Sequence, residues 1–230
     1  MSHRERIPSP IDDMEVPEHL TARVVAPGEA PLVHGYDVQA DLSAHYGFSD
    51  LVFLSLTGEL PEGHAGRAFE VLLMFAAPVS VAEAPSHAAA LARLCSAKPS
   101  SVAAVAAIGL AEQARHRVEE LAPLIEWLRA DREGPPALAG GDSPTARLQA
   151  MLRACGAPVD ERDAQLPLAA AIVAGLWDLG LREAWQLEAA FVVARWPLAQ
   201  AEAMSNTPGA LGTYPIRLPS FDLRGTPREP

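Results

Sequence analysis

Lysine is all but absent from this chain: of 18 basic residues, Lys98 alone is a lysine and the rest are arginines. Cysteine is nearly as scarce. Cys95 and Cys155 form no C-x-x-C pair and are too few for a disulfide framework, so a reducing cytoplasm is the expected setting. Positive charge is in short supply as a whole, because 29 Asp and Glu outnumber the basic residues for a net charge of −11. That balance argues against a general nucleic-acid or anionic-membrane binder, since a polyanion would not be attracted. Uncharged runs such as residues 166–177 fall well short of the ~20 apolar residues that a bilayer span needs. The polar, acidic stretch MSHRERIPSPIDDMEVPEHL carries no apolar leader segment. Ready-made chemical motifs are missing too: there is no GxSxG, HExxH, GxxxxGK[ST] or GxGxxG. The seven histidines are scattered without metal-ligand spacing, so no metal site is expected.

What is present is enough apolar material for a sizeable core: 230 residues, 49% of them hydrophobic and 20% charged. The first 33 residues, rich in proline and charge, read as an irregular arm. From Tyr36 onward the pattern is helical. Residues 38–46 form a polar-apolar stretch stopped by Gly47. FSDLVFLSLTGELP follows, ending at Gly58 and Pro61 as helices commonly do. Residues 62–77 carry Phe69, Leu72, Leu73 and Phe75 on one broad face. A helix is expected from Pro85 through Ala97 with Ser86 as its N-cap, then a break at Lys98-Pro99-Ser100-Ser101. The next helical stretch runs to about Arg132 and is interrupted at Pro123. GPPALAGGDSP, residues 134–144, is the clearest linker. Helical blocks at 144–155 and 164–204 follow, the second divided at Gly180, and residues 207–230 read as a loop-like tail. With no convincing alternating strands, the fold class is all-α. The expected layout is an arm over 1–33, one helical domain over 34–206 and a tail over 207–230.

Three short elements stand in order along this pattern: His34-Gly35-Tyr36-Asp37-Val38, then Phe48-Ser49-Asp50-Leu51-Val52, then Leu56-Thr57-Gly58-Glu59-Leu60-Pro61. They resemble the N-terminal signature of the citrate synthase superfamily, in which an RGYDI element precedes a helix pair ending in LLxGELP. His34 stands where that family has an arginine. Weaker echoes are His87 to Ser96 with Arg93, the alanine-rich residues 102–111, LWDLGL at 176–181, and Ala194-Arg195-Trp196-Pro197. The resemblance covers most of residues 33–206. It implies a multi-helical citrate-synthase-like fold in truncated form, and a chemistry of acyl-CoA thioesters and oxo-acids without a cofactor, the coenzyme A thioester being a substrate.

Such chemistry abstracts a proton beside a thioester carbonyl. The acid is weak, so it needs an aspartate base and two histidines that polarise carbonyl oxygens. The family's GPLHGGA falls here on Glu112 to Glu119, where His116 survives without either glycine. His116 is therefore the one catalytic candidate. It lies off the apolar stripe of Leu110, Ala114, Leu121, Ile125 and Leu128, and a surface histidine is the competing reading. The region of the second histidine, residues 130–145, contains no histidine. The aspartate of NVDGAL falls on Ala169, and Asp163 is six residues too early. Arg195 is the substrate-binding candidate, as a bidentate carboxylate ligand or else as a helix arginine paired with Glu188 or another acid. His34 is a second binding candidate. Gly35, Tyr36 and Asp37 read as a turn that caps the following helix.

The expected protein is thus citrate synthase- or citryl-CoA lyase-like, with that catalysis lost or much reduced. The alternatives are an active condensing enzyme or lyase, with or without a partner chain, and a non-catalytic subunit of an intact relative. The alanine-rich helices over 86–111 suit close packing and, by resemblance, a homodimer or a heteromer.

Overall fold

A tight turn starts the fold. His34 and Gly35 both take left-handed backbones, φ 49° and 88°. They join β2 (Leu32–Val33) to β3 (Tyr36–Asp37), with Val33 opposite Tyr36. A two-residue hairpin with both central φ values positive is the type I′ turn that matches strand twist, and Gly35 meets that geometry without a Cβ penalty. A third strand, β1 (Val25–Ala26), pairs antiparallel with β2. β1 and β2 fall within the arm expected over 1–33; two residues each leave no alternation for a sequence pattern to show. Asp37 then caps the next turn as the sequence suggests: its Oδ1 accepts from the N–H groups of Gln39 at 2.8 Å and Ala40 at 2.7 Å. One wide helical turn, Val38–Leu42, continues into α1 (Ser43–His45). The helix α2 (Phe48–Thr57) follows, with Asp50 accepting from the Gly47 N–H.

The computed structural model describes residues 19, 21–136, 138 and 140–211. Contacts within them divide the chain into two units, Met1–Pro61 and Glu62–Pro230. The first unit holds the three strands and α2 around Val33, Leu42 and Leu54. The reading of residues 1–18, of residue 20 and of the tail from 212 onward lies outside the described residues.

The second unit is helical throughout its described elements: α3 (Ala65–Ala76), α4 (Ala84–Leu94), α5 (Pro99–Glu120), α6 (Ala122–Arg129), α7 (Ser143–Ala154), α8 (Leu168–Asp178) and α9 (Ala184–Met204). Proline sets several starts, since its missing N–H costs nothing in a first turn. Pro99 opens α5, and Pro123 opens α6 just past the break at Leu121. Glu83, rather than Ser86, occupies the N-cap of α4; Ser86 is buried in the first turn. Asp142 caps α7 through the Thr145 N–H. Gly180, φ 95°, closes α8: its N–H reaches Trp177 O, and the Leu181 N–H reaches Leu176 O.

Two packed groups make this core. Helices α4, α5 and α9 meet through small side chains, with Ala89, Val102, Ala106, Leu110, Ala199 and Ala203 buried together. The other group places α8 against α3, α6 and α7. Ala170, Ala171, Ile172, Val173, Ala174, Leu176 and Trp177 of α8 are all buried, so this helix is apolar nearly all round, as a central helix must be. No described helix is long and apolar enough to cross a membrane.

Candidate functional site

The most buried charged residue described in the second unit is Arg195, which α9 carries at 5% exposure. A guanidinium withdrawn from water must be hydrogen-bonded and paired. Here one terminal nitrogen, Nη2, donates to Glu83 Oε2 at 2.7 Å and to the Pro78 carbonyl at 2.9 Å. The other, Nη1, donates to Gln113 Oε1 of α5. Gln113 in turn donates Nε2 to Glu83 Oε2 at 2.9 Å, closing a ring of three side chains. Burial works to raise the Glu83 carboxyl. The Ser80 N–H, Gln113 and Arg195 outweigh it and hold the group below its ordinary value. The carboxylate that pairs with Arg195 is therefore Glu83, 112 positions away in sequence, and not Glu188.

Arg117 of α5 shares this neighbourhood. Its guanidinium lies 5.5 Å from the Phe191 ring centre, and burial and then the Arg195 charge lower its pKa. With Leu110, Gln113, Ala114, Phe191 and Arg195 it lines a shallow hollow too tight to hold a water molecule. Arg195 Nε is enclosed there without a partner. Glu83 and Glu120 both act on the Arg117 charge, so two guanidiniums here face two carboxylates. Nothing in the sequence singles out Gln113, Glu83 or Arg117. Arg117 differs from the other two only in standing where the resembled family has the glycine after its histidine.

His116 lies elsewhere. The buried stripe of α5 runs Val102, Ala106, Leu110, Ala114, Val118 at intervals of four. A residue two places past Ala114 falls about 200° round the helix. The His116 side chain is 68% exposed, with Nε2 3.2 Å from Glu120 Oε1 and Nδ1 4.0 Å from Glu119 Oε2. The structure brings it together with neither Arg195 nor any other candidate.

The region expected to hold an aspartate base carries a salt-bridge network instead. Ala169 occupies the first turn of α8. Asp163 lies one short turn earlier, 7% exposed, gripped by Arg132: Nε to Oδ1 is 3.2 Å and Nη2 to Oδ2 is 3.1 Å. Arg132 Nη2 also meets Asp178 Oδ2 at 2.7 Å. Burial, together with the Asp178 and Asp160 charges, raises the Asp163 carboxyl despite Arg132. Asp163 and Asp178 share the Arg132 guanidinium while Asp160 is held by Arg162, so Asp163 receives only part of the Arg132 charge.

In the first unit the His34 ring packs on the turn after α2, within 4 Å of where a Cβ on Gly58 would sit, and its Nε2 is buried without a partner. Among the described residues no group of His, Cys, Asp and Glu is placed to hold a metal ion.

No protein-family model matches the chain, and no curated protein matches it in sequence. Solved structures do. Citryl-CoA lyase from Hydrogenobacter thermophilus aligns with a TM-score of 0.63 at 19% identity, over 88% of this chain and 94% of that one. A variant ATP citrate lyase from Methanosaeta concilii, in complex with (3S)-citryl-CoA, aligns at 0.58 and 15% identity over 87% of this chain and 42% of that one. ATP citrate lyase from Methanothrix soehngenii, in complex with citrate and coenzyme A, aligns at 0.59 and 15% over 94% and 44%. The chain thus spans less than half the length of the two ATP citrate lyases. At these identities the likeness establishes the fold: this is a helical, citryl-CoA lyase-like chain.

Proposed function

We propose that this protein is a citrate synthase/citryl-CoA lyase-like member of acyl-CoA and oxo-acid metabolism in which the acid-base chemistry of that fold is lost or much reduced. The observation that carries the reading is His116: 68% exposed, on the outer face of α5 and paired with Glu120. A group that is to polarise a carbonyl needs a desolvated, fixed position, because water competes for the same hydrogen bond. Ala169 supplies no base at the start of α8, and Asp163 is bound to Arg132.

What remains is a capacity to bind. Arg195, once released from Glu83, is one candidate for a carboxylate ligand, and His34 is a second, separate candidate in the N-terminal unit. The Methanosaeta concilii neighbour holds (3S)-citryl-CoA, which supports a CoA thioester as the ligand class. In that role the chain pairs with itself or with an intact relative, and Leu91 and Ile108 on the outer faces of α4 and α5 offer exposed apolar surface for the contact.

Thermal-shift titration with coenzyme A, acetyl-CoA, citrate and oxaloacetate, run beside assays of condensation and citryl-CoA cleavage, tests this. The expected result is stabilisation by a carboxylate or CoA species without turnover. Turnover that falls 100-fold or more in His116→Ala would overturn it.

A further inference from the structure

Beside the start of α2 the N-terminal unit carries a hollow with room for a guest of about 150 Å³, a space of the size that takes a benzene ring. Val38, Leu42 and Leu51 form its apolar side and belong to the core of the unit. Ser43, Tyr46, Gly47 and Phe48 complete the wall. Neither His34 nor any residue of the second unit lines it, so a ligand here is independent of the function proposed for the chain.

Local structure sets the two aromatic side chains together. Tyr46 has extended backbone, φ −128° and ψ 151°, and Gly47 is extended as well, φ −85° and ψ 171°. Residues two apart on an extended backbone project to the same side, so Tyr46 and Phe48 share one. Asp50 fixes this turn, its Oδ2 accepting from the Gly47 N–H at 2.9 Å. Phe48 opens α2 with 76% of its surface exposed, more than any other large apolar residue described. An aromatic ring held in water at the edge of an apolar hollow is surface open to a ligand.

Charge identifies the class of ligand. Asp50 bonds to the backbone of the wall at Gly47, and Asp37 bonds to the N–H groups of Gln39 and Ala40 just past Val38. Among the described residues neither carboxylate is paired with an arginine or lysine. Over residues 21–61 the acids Glu29, Asp37, Asp41, Asp50 and Glu59 stand against one arginine, Arg23. The field at the hollow is therefore negative and attracts a cation. The Ser43 hydroxyl is turned to the Gln39 carbonyl at 2.6 Å, and the rest of the wall is hydrocarbon and aromatic. A head group with several N–H donors would leave some of them unpaired there. A quaternary ammonium has none, and its charge is spread over methyl groups that rest on aromatic faces. We propose that this hollow binds a free, small trimethylammonium compound, its head against Tyr46 and Phe48 and its charge offset by Asp50.

The test titrates choline and neohexyl alcohol, its neutral analogue with carbon in place of nitrogen, into the full chain, reading the ring resonances of Tyr46 and Phe48. Choline should bind saturably and shift both rings. The alcohol, equal in shape, should bind about tenfold more weakly, because it lacks the charge that the rings and Asp50 attract. Phe48→Leu keeps an apolar residue at this exposed position and should weaken choline about fivefold. Asp50→Asn keeps an acceptor for the Gly47 N–H and should weaken choline while leaving the alcohol unchanged. Equal affinity for the two probes, no binding of choline, or undiminished choline binding in Phe48→Leu would each overturn the proposal. Binding to phosphatidylcholine vesicles without binding to free choline would overturn it as well. Should Asp50→Asn fail to fold, the two probes compared on the wild-type chain decide, since that comparison needs no substitution.

Discussion

Arg132 holds together the end of α6 and the approach to α8. It is 7% exposed, has a left-handed backbone at φ 60°, and binds both Asp163 and Asp178. Replacing it by methionine keeps the bulk but leaves Asp163 buried without a counter-charge. Removing one partner of a buried pair costs about 3–5 kcal/mol. Asp178, with 34% of its side chain exposed, adds less than about 1 kcal/mol after solvent screening. The lost stacking on Trp127, 5.9 Å from the guanidinium, adds about 0.5 kcal/mol. Arg132→Met should therefore cost about 4 kcal/mol, read as the midpoint and extrapolated stability of urea unfolding followed by circular dichroism. Adding Asp163→Leu removes the stranded carboxylate and should recover at least about 2 kcal/mol, a coupling expected only of groups in direct contact. The backbone gives an internal control. Arg132→Gly and Arg132→Ala delete the same interactions, but glycine avoids the roughly 1–2 kcal/mol penalty that an L-residue bears in a left-handed conformation. Glycine should be the more stable of the two by about 1 kcal/mol. A loss below about 1 kcal/mol in Arg132→Met, or additivity of the double mutant, would refute the account.

Four further outcomes are expected. The Arg162 hydrogen bonds hold the Asp160 carboxyl down to about 2 from the ordinary 3.8. Its folded pKa lies below its unfolded one, so the stability it confers is present above about pH 4 and is lost as pH falls toward about 2. Allowing for its partial exposure, Asp160→Asn should cost about 1 kcal/mol near neutral pH and nothing at the acid end of that range, by unfolding under both conditions. Asp163 has the opposite sign, because a raised folded pKa makes acidification from neutral pH favour the native state; Asp163→Asn should remove that slope, and an unchanged slope would contradict the assignment. An alanine at Gly141 would put its Cβ 2.2 Å from the Ala164 carbonyl oxygen, a backbone atom that cannot step aside, so Gly141→Ala should lower stability by about 2 kcal/mol in thermal unfolding. His34→Asn, better suited to a left-handed turn position, should raise stability by about 0.5 kcal/mol in the same assay.

The helices are legible in the sequence because proline and glycine punctuate them. Pro99, Pro123 and Gly180 mark real ends, and the apolar residues between recur at helical spacing down to the buried stripe of α5. Asp37 as a cap is legible for the same reason, since capping is local. The strands are not, being two residues each. The site is legible only where it is local: His116 and its glutamate neighbours on α5 follow from helical spacing. The Glu83–Gln113–Arg195 ring is not, because its members lie on three elements and nothing short-range relates them. The enclosure of Gln149, 4% exposed on α7, escapes for a different reason: a single polar residue on an otherwise apolar face looks like solvent exposure until α3 and α8 are seen to cover it.

The alanine seam joining α4, α5 and α9 bears on how this molecule could change shape. Alanine has no rotamers to exchange, and helices brought close by small side chains have no slack to slide across. That trio should move as one stiff block, with its amides among the last to exchange with deuterium. Arg195 and its partners are set in this block and have little freedom to re-form around an incoming group. Leu72, Leu148 and Leu152 can re-rotamerise, and an unfilled space lies beside them. Compliance in the second unit is therefore confined to the α3–α7–α8 side, where a bound molecule would have to be accommodated by side chains while the seam stays still.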